Sequence, residues 1–408
     1  MNYDRPRYLK ILNQSRNDGL IKVLTGIRQC GKSYILVNYF EKLKADYSLD
    51  QVLTYKLASR SNKAFRDKDK FEDELRSKIT DNSKPYFIYI DEVQMCPGFE
   101  EMLLSVREDF PNVDFYITGS NSKMLSKDIL EKLGTNGREI KVYPLDLEEF
   151  IDFYQRIGRL QENVDILEEY LNVGGMPSAV VNPDNAGGLF DSIKQTILIH
   201  DICDRYANVN EDVLKRVLEY ICSSYGSPFS LDNAVKQIKN PSITKDVVQQ
   251  YLGYLEDAFL LYPMKNIKTG LSSLNEEQDE IVKYYVVDHA LACRIAGGFF
   301  NVGSRVENIV YINLLRNGIN EISIGKKSNN QKEIDFTFQK NTERYLLQVT
   351  EKMDIESETE KREFDSFKGK KGENKLLITL RPYFGSYGKK YPEVQIVLLK
   401  DFLLGYKI

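Results

Sequence analysis

The sequence of 408 residues is poor in the side chains that build metal centres and disulfide frameworks. It has two histidines and five cysteines, and no two cysteines form a C-x-x-C pair. We therefore expect no zinc site, and scattered cysteines in odd number are typical of a reducing compartment. The first residues lack an apolar signal core, and no run approaches the ~18 to 20 apolar residues of a membrane span. These absences predict a cytoplasmic protein with no membrane partner.

An excess of one charge is also missing. Lys and Arg together number 56 and Asp and Glu number 60, so the net charge is -4. This balance does not indicate a protein that binds polyanions, although a nearly neutral chain can still have a basic patch on one face. Hydrophobic residues make up 42% of the chain, which is enough for packed cores, and the length predicts two or three domains.

The sequence does contain a phosphate-binding motif. Its residues fit the pattern G-x-x-x-x-G-K-S/T, and they are Gly26, Ile27, Arg28, Gln29, Cys30, Gly31, Lys32 and Ser33. Apolar residues at 20–24 predict a strand before the motif, and 33–37, which includes Tyr34, predicts a helix after it. The loop and the helix start are expected to hold the phosphates of ATP. Lys32 should reach the β- and γ-phosphates and Ser33 should hold Mg²⁺.

Two acidic residues follow a second predicted strand. Residues 86–90 are apolar or aromatic, and Asp91 and Glu92 come directly after them. A run without alternation is typical of a strand buried on both faces, and ligands gather at the carboxyl ends of such strands. We expect Asp91 to help hold Mg²⁺ through water. Glu92 is expected to be the general base that activates the attacking water.

Two arginines are candidates for contact with the nucleotide. Arg138 lies in a segment, 134–145, that predicts a loop and a fifth strand. It is either an arginine that stabilises phosphate charge, in cis or in trans, or an ordinary surface residue. Arg28 lies inside the phosphate-binding loop and is better placed to touch the nucleotide or a neighbouring subunit, with its role left open.

These motifs occur together with others, and the combination resembles a family of bacterial and archaeal AAA-type P-loop ATPases whose C-terminal half is a domain of unknown function. The shared residues are Arg5-Pro6-x-Tyr8-Leu9, 23–33, 89–94, 117–122, Gly137-Arg138, Tyr143-Pro144-Leu145-x-x-x-Glu149-Phe150, Tyr170-Leu171-x-x-Gly174-Gly175-x-Pro177 and Asp201-x-x-x-Arg205-Tyr206. The resemblance covers nearly the whole chain. It implies binding and hydrolysis of ATP with Mg²⁺, and it leaves the biological process open.

The resemblance also implies further site residues. The predicted strand at 113–118 leads into the sensor position of AAA-type ATPases, where Asn121 or Ser120 would contact the γ-phosphate. The alternative is a turn rich in Gly, Ser and Asn. In such ATPases an arginine of a helical lid commonly reads the γ-phosphate, and Arg205 is a candidate. A surface salt bridge from Arg205 to Asp201 is the alternative.

The middle of the chain, 156–288, predicts a helical lid and a winged helix. Apolar spacing indicates three short helices, at 213–221, 230–238 and 243–255, and a hairpin that joins 259–264 to 284–287. The third helix would enter a DNA groove. Its Lys245 is accompanied by Asp246 and Glu256, which weakens any neutralisation of phosphates. Nucleic-acid binding and protein contact are therefore both kept as interpretations.

The last part, 289–408, predicts an α/β domain whose order of elements resembles the restriction-endonuclease-like fold. The predicted elements are a helix at 305–315, strands at 321–326, 333–338 and 344–350, a helix at 357–370, and strands at 375–380 and 394–399. Glu307 and Asp335 match two acidic ligands of a nuclease Mg²⁺ site. The third motif reads Gln348-Val349-Thr350 and lacks its lysine, for which Lys352 is a substitute. We therefore expect a degenerate nuclease fold.

The sequence thus predicts three domains: an AAA-like P-loop domain with a parallel sheet at 1–155, the helical and winged-helix region at 156–288, and the nuclease-like domain at 289–408. The leading hypothesis is an ATPase whose cycle moves the two later domains and acts on DNA, RNA or a protein partner, with a homo-oligomer as one arrangement. The alternatives are a Mg²⁺-dependent nuclease gated by ATP and a slow ATP switch that acts through protein contacts.

Overall fold

The computed structural model describes residues 4–119, 126–162, 164–240, 243–265, 281–298, 301–325, 333–353, 357–370 and 372–406. The chain divides into two compact units. The first is Met1–Pro144 with Ser192–Val209, and the second is Leu145–Asp191 with Asn210–Ile408. In this division a later segment, 192–209, belongs to the first unit. The predicted domain boundaries at 155 and 288 stay predictions.

The first unit contains a parallel sheet with helices around it. Its strands are β1 (Ile21–Thr25), β2 (Val52–Lys56), β3 (Tyr86–Asp91), β4 (Val113–Thr118) and β5 (Gly137–Lys141). Its helices are α1 (Pro6–Gln14), α2 (Lys32–Asp46), α3 (Lys68–Lys78), α4 (Phe99–Asp109) and α5 (Ser126–Leu133), and a π-helical segment covers Ile197–Cys203. The five strands are parallel in the order β2-β3-β4-β1-β5. Strand β4 therefore lies between β1 and β3, and the carboxyl ends of these three strands lie side by side.

The middle strands are buried because nearly every residue in them is apolar or aromatic. All residues of β1 and β4, and all of β3 except Asp91, are buried. Two charged residues are also buried in these strands, Lys22 in β1 and Asp114 in β4, and they form an ion pair. Lys22 is also paired with Asp18, whose Oδ1 lies 2.8 Å from its ammonium. A charge can be buried here because it is neutralised by carboxylates.

The charged segment 60–78, which follows β2, does not form one continuous helix. A 3₁₀ turn covers Arg60–Arg66, and α3 begins only after Asp67. The Asp67 side chain accepts the N–H of Lys70 and so caps the helix. Phe71 and Leu75 of α3 are buried in the core of the first unit, as their spacing predicts.

The second unit combines helices with a mixed sheet. Its helices are α6 (Leu147–Arg156), α7 (Ile166–Val173), α8 (Pro177–Val181), α9 (Ala186–Thr196, whose residues from Ser192 onward belong to the first unit), α10 (Glu211–Ser224), α11 (Leu231–Ile238), α12 (Lys245–Asp257), α13 (His289–Ile295), α14 (Val302–Arg316), α15 (Glu358–Asp365) and α16 (Leu399–Leu403). Its strands are β6 (Leu261–Lys265), β7 (Ile281–Val286), β8 (Ile322–Gly325), β9 (Ile334–Lys340), β10 (Glu343–Thr350), β11 (Asn374–Thr379) and β12 (Val394–Leu398).

The elements of the second unit form two groups. Helices α10, α11 and α12 pack against one another, and β6 pairs with β7 in an antiparallel ladder. The strands β8 to β12 form a sheet in the order β12-β11-β10-β9-β8, antiparallel from β8 to β10 and parallel from β10 to β12. The predicted α/β class with a parallel P-loop sheet is confirmed, and helices and a mixed sheet follow that sheet in the chain. The winged-helix and restriction-endonuclease-like assignments of the later parts stay predictions. In the described part of the chain, no helix has the length and apolar character to cross a membrane.

Candidate nucleotide-binding site

The phosphate-binding loop joins the end of β1 to the start of α2, as its motif predicts. Gly26 has φ +136°, and a Cβ on it would lie 2.1 Å from the carbonyl oxygen of Val142. Gly31 is the N-cap of α2 with φ 101°, so both glycines stand where a side chain would be strained. Gln29 also has a positive φ, 63°. This alternation turns backbone N–H groups toward one side, which is the arrangement of an anion-binding nest.

Lys32 begins α2 and folds back over the loop. Its ammonium donates to the carbonyl oxygens of Gly26, at 2.8 Å, and Ile27, at 3.0 Å. The side chain is buried, with 6% exposure. Its charge therefore adds to the positive end of the helix dipole at the place where phosphates would bind.

Asp91, at the carboxyl end of β3, accepts three hydroxyl groups on one oxygen. Its Oδ1 lies 2.8 Å from Ser33 Oγ, 2.9 Å from the Tyr89 hydroxyl and 2.6 Å from Thr118 Oγ1. Oδ2 has no hydrogen-bond partner among the residues that the structure describes. Burial and then the charge of Asp91 raise the pKa of Tyr89 well above its ordinary value, so this hydroxyl remains a donor. The predicted pair of Ser33 and Asp91 is thus brought together.

Thr118 was missed by the sequence analysis. It ends β4, which lies between β1 and β3, and its hydroxyl therefore meets Asp91. The sequence could have indicated Thr118, because it is a polar residue at the end of a buried strand, which is the feature by which Asp91 was predicted. The predicted sensor residues Ser120 and Asn121 lie outside the described residues.

Glu92 follows Asp91 at the same edge of the sheet. Its backbone has φ 57°, a left-handed conformation that costs a non-glycine residue about 1–3 kcal/mol. Its Oε2 accepts the side-chain amide of Gln94 at 2.5 Å. The strained backbone therefore turns the chain directly after Asp91, and the carboxylate of Glu92 is oriented by a neighbour in the following turn.

Arg28 in the loop forms an ion pair with a residue far away in sequence. Its Nη2 lies 2.5 Å from Oδ1 of Asp201, and its Nε lies 3.2 Å from each of the two carboxylate oxygens. Asp201 lies in the π-helical segment and is only 2% exposed. The sequence interpretation considered only Arg205, four residues away on the same helix, as the partner of Asp201. Burial raises the pKa of Asp201 against the opposing charge of Arg28.

The N-terminal motif with Arg5 and Tyr8 is hydrogen-bonded to the loop and to the segment after β5. Arg5 is buried, and its guanidinium donates to the carbonyl oxygens of Cys30 and Tyr143, at 3.0 Å each. The Tyr8 hydroxyl accepts the backbone N–H of Tyr143 at 3.0 Å. Cys30 is also fully buried, and its thiol lies 3.3 Å from the Val142 carbonyl oxygen. The Arg5 and Tyr8 pattern therefore shapes the loop and was noticed in the sequence without a role.

Arg138 does not approach the loop. It pairs with Lys22 in the register of β5 and β1, near the amino ends of strands whose carboxyl ends carry the site. Its Nε lies 2.8 Å from Asp18, and the side chain is 46% exposed. A role in cis is therefore not supported by its position, and a role in trans remains a prediction. Tyr34, on the first turn of α2, is 36% exposed.

The predicted second Mg²⁺ site, at Glu307 and Asp335, contains an ammonium group. Nζ of Lys283, on β7, lies 3.0 Å from Oε1 of Glu307 and 3.6 Å from Oε1 of Glu333. The Tyr285 hydroxyl donates to the same oxygen of Glu307 at 2.7 Å. Among the described residues, no group of three or more His, Cys, Asp or Glu side chains is arranged to hold a metal ion. The acidic pair therefore lies beside an ammonium group, and its role as a Mg²⁺ site remains a prediction.

Gln348, at the third position of the nuclease motif, forms hydrogen bonds to neighbouring elements. Gln348 accepts the backbone N–H of Asp335 at 3.2 Å and donates to Glu363 at 2.8 Å. Asp335 accepts the backbone N–H of Val349 at 2.8 Å. Lys352, the predicted substitute lysine, is exposed. These groups tie strands β9 and β10 to one another and to helix α15.

Comparison with known proteins places the chain among P-loop proteins. Residues 18–151 match a family model described as an AAA domain, and 164–300 match a domain of unknown function. An uncharacterised protein of Haemophilus influenzae is 30% identical over 417 residues, which cover 98% of each chain. An uncharacterised protein of Methanocaldococcus jannaschii is 27% identical over 352 residues, with 81% of this chain and 74% of that protein covered.

A solved structure gives the same result for the fold. The Walker-type ATPase of Pyrococcus abyssi superimposes with a TM-score of 0.50 at 15% identity, covering 72% of this chain and 95% of that chain. At this identity the likeness concerns the fold alone.

Proposed function

We propose that this chain, which belongs to one family with the Haemophilus influenzae protein and contains an AAA domain at 18–151, binds ATP with Mg²⁺ and hydrolyses it. The observation that carries the proposal is the hydrogen bond between Ser33 Oγ and Asp91 Oδ1, at 2.8 Å. It joins the hydroxyl of the phosphate-binding loop to the carboxylate at the end of β3. Hydroxyl and carboxylate oxygens are the ligands that Mg²⁺ takes beside nucleotide phosphates.

The residues of the site divide the work. The loop N–H groups and Lys32 bind the phosphates, and Ser33 and Asp91 are the residues that would hold Mg²⁺. The ion supplies neutralisation of charge on the β- and γ-phosphates. Glu92, directly after Asp91, takes a proton from the attacking water. Asn121 remains our proposal for the sensor of the γ-phosphate.

We also propose that the nucleotide cycle moves the second unit, and that this unit acts on nucleic acid or on a protein partner. The segment 192–209, which carries Asp201, belongs to the first unit, and the chain before and after it belongs to the second. Arg28 contacts Asp201 from inside the phosphate-binding loop. A movement of the loop would therefore act through this ion pair on the segment 192–209, whose backbone continues at both ends into the second unit. Helices α10 to α12 and the ladder β6–β7 support the proposal of a winged helix there.

A nuclease activity is not part of the proposal, because the ammonium of Lys283 pairs with Glu307, one of the two acidic residues that a metal would need. A slow ATP switch that works through protein contacts differs from the main proposal in its slow turnover and in its lack of response to nucleic acid. Turnover far below the usual ~1–10³ s⁻¹ of enzymes, unchanged by any polymer, would favour the switch.

The test is ATP turnover of the purified chain alone and with single-stranded DNA, duplex DNA or RNA. Glu92→Gln is expected to bind ATP but to lose about 10²–10⁴-fold in turnover, the usual contribution of a general base. Lys32→Ala is expected to lose nucleotide binding. Arg76→Ala is the control, because Arg76 pairs with Glu72 and Asp109 and belongs to none of the motifs of the proposed site. Full turnover by Glu92→Gln would show that the assigned base is wrong.

A further inference from the structure

The guanidinium of Arg28 is held along one edge and open along the other. Asp201 binds Nε and Nη2 in a two-point contact. Nη1 donates to no protein group in the described part of the chain. The side chain is 21% exposed and that of Asp201 is 3% exposed. A planar guanidinium fixed in this way is oriented before a ligand arrives and keeps donors for a second anion.

The charges around this pair belong to the proposed ATP site. Arg28 is the third residue of the loop, and the carboxylate of Glu92 is near enough to act on its charge. Lys32 in turn is near enough to act on the charge of Asp201. Burial acts to lower the pKa of Arg28, but the bond to Asp201 and the charges of Asp201 and Glu92 raise it, so the guanidinium stays charged. Arg28 therefore lies in the loop that would hold the phosphates, and it is close enough to the proposed general base for their charges to interact.

We propose that Arg28 stabilises the charge of the reacting γ-phosphate within its own chain, and that Asp201 is the residue that positions it. This inference rests on the proposed ATP hydrolysis. Water attacks the γ-phosphorus, its proton passes to Glu92, and the bond from phosphorus to the leaving oxygen of ADP breaks. Arg28 forms no covalent bond in this step. Its open N–H groups bind equatorial oxygens whose charge has to be stabilised in the transition state.

The experiment compares full-length wild type with Arg28→Ala, Arg28→Lys and Asp201→Asn. It measures kcat, KM and the dissociation constants of ADP and ATP. Arg28→Ala is expected to lower kcat by about 10³-fold, the smaller end of the effect of a charge-stabilising arginine, while ADP affinity is unchanged. Arg28→Lys should not restore kcat, because an ammonium cannot make the two-point contact.

Asp201→Asn tests whether Asp201 positions Arg28. The substitution retains the size of the side chain and one of its two acceptor oxygens. It is expected to lower kcat by about 10²-fold through misplacement of Arg28, again without loss of ADP affinity. Combined with Arg28→Ala it should cause no further loss, because both changes remove the same interaction. Thermal unfolding of each variant, with Arg76→Ala as the matched change of a paired arginine, separates these effects from loss of the fold.

Two results would overturn the inference. One is a wild-type kcat in Arg28→Ala. The other is a fall in ADP affinity as large as the fall in kcat, since that would mean that Arg28 only maintains the loop. If wild type itself does not hydrolyse ATP, the proposed function fails separately. The inference then still requires that Arg28→Ala weakens the binding of ATP more than the binding of ADP. An equal effect on the two dissociation constants would reject it.

Discussion

Replacing Lys283 by Met removes a buried charge from the acidic cluster of the second unit. The Lys283 side chain is 5% exposed, and its partners Glu307 and Glu333 are 18% and 32% exposed. Methionine fills much of the space of the lysine stem without its charge. The carboxylate of Glu307 would keep the hydroxyl of Tyr285 as a partner but would lose its neutralising cation.

The size of the effect follows from this burial. Breaking a buried ion pair from one side costs about 3–5 kcal/mol, because the remaining charge stays desolvated. Glu307 retains some contact with water, so we expect about 3 kcal/mol. For a folding unit of this length, 1 kcal/mol shifts the melting temperature by about 2–4 °C, so the expected fall is about 6–12 °C.

The ammonium is charged under the conditions of the assay. Burial alone acts to lower the pKa of Lys283, but the surrounding carboxylates, led by that of Glu307, raise it above the ordinary 10.5. A lysine whose pKa is higher in the folded state contributes its full stability below the unfolded pKa. That contribution is lost only when the pH rises through the folded pKa. Melting between pH 7 and 8 therefore reports the intact pair.

Two matched variants sharpen the measurement. Lys375→Met also removes a buried lysine, with 5% exposure, but its partner Glu393 is 48% exposed and regains water, so the loss should stay within about 1 kcal/mol. Lys283→Met combined with Glu307→Gln should recover most of the lost stability, because the carboxylate of Glu307, the nearest partner of Lys283, is then no longer left without its cation. If Lys283→Met cost no more than Lys375→Met, or if the double variant were no more stable than the single one, the assignment of a neutralising role to Lys283 would be refuted.

Three further outcomes are expected. Gly26→Ala should weaken ADP binding, measured by titration, because its Cβ would lie 2.1 Å from the Val142 carbonyl oxygen; unchanged affinity would contradict the close approach. Burial lowers the pKa of His289, whose ring lies 3.0 Å from the Tyr170 carbonyl oxygen, so folding favours the neutral ring. Wild type should therefore lose stability as the pH falls below 6.5, and chemical denaturation of His289→Gln should depend less on pH in that range. Burial raises the pKa of Cys96 to about 11, so iodoacetamide at pH 8 should label it, by mass spectrometry, only after unfolding.

Local geometry explains why part of the site was predictable. The loop at 26–33 depends on a strand, two glycines and a helix start that are neighbours in sequence, so the motif alone specifies its backbone. Asp91 and Glu92 follow a buried strand directly, and the carboxyl ends of parallel strands meet at one edge of the sheet. The pairing of Ser33 with Asp91 therefore follows from the motifs and the class of fold.

What the sequence determined by itself is thus the nucleotide-binding motif, the acidic pair and the order of helices and strands, since each is encoded within a few adjacent residues. Only the tertiary structure decided which distant groups meet. It paired Arg28 with Asp201 across 173 positions, placed the hydroxyl of Thr118 on Asp91, and put the ammonium of Lys283 among carboxylates where a metal site was predicted. These contacts depend on strand order and on packing between remote segments, and no local pattern in the chain encodes either.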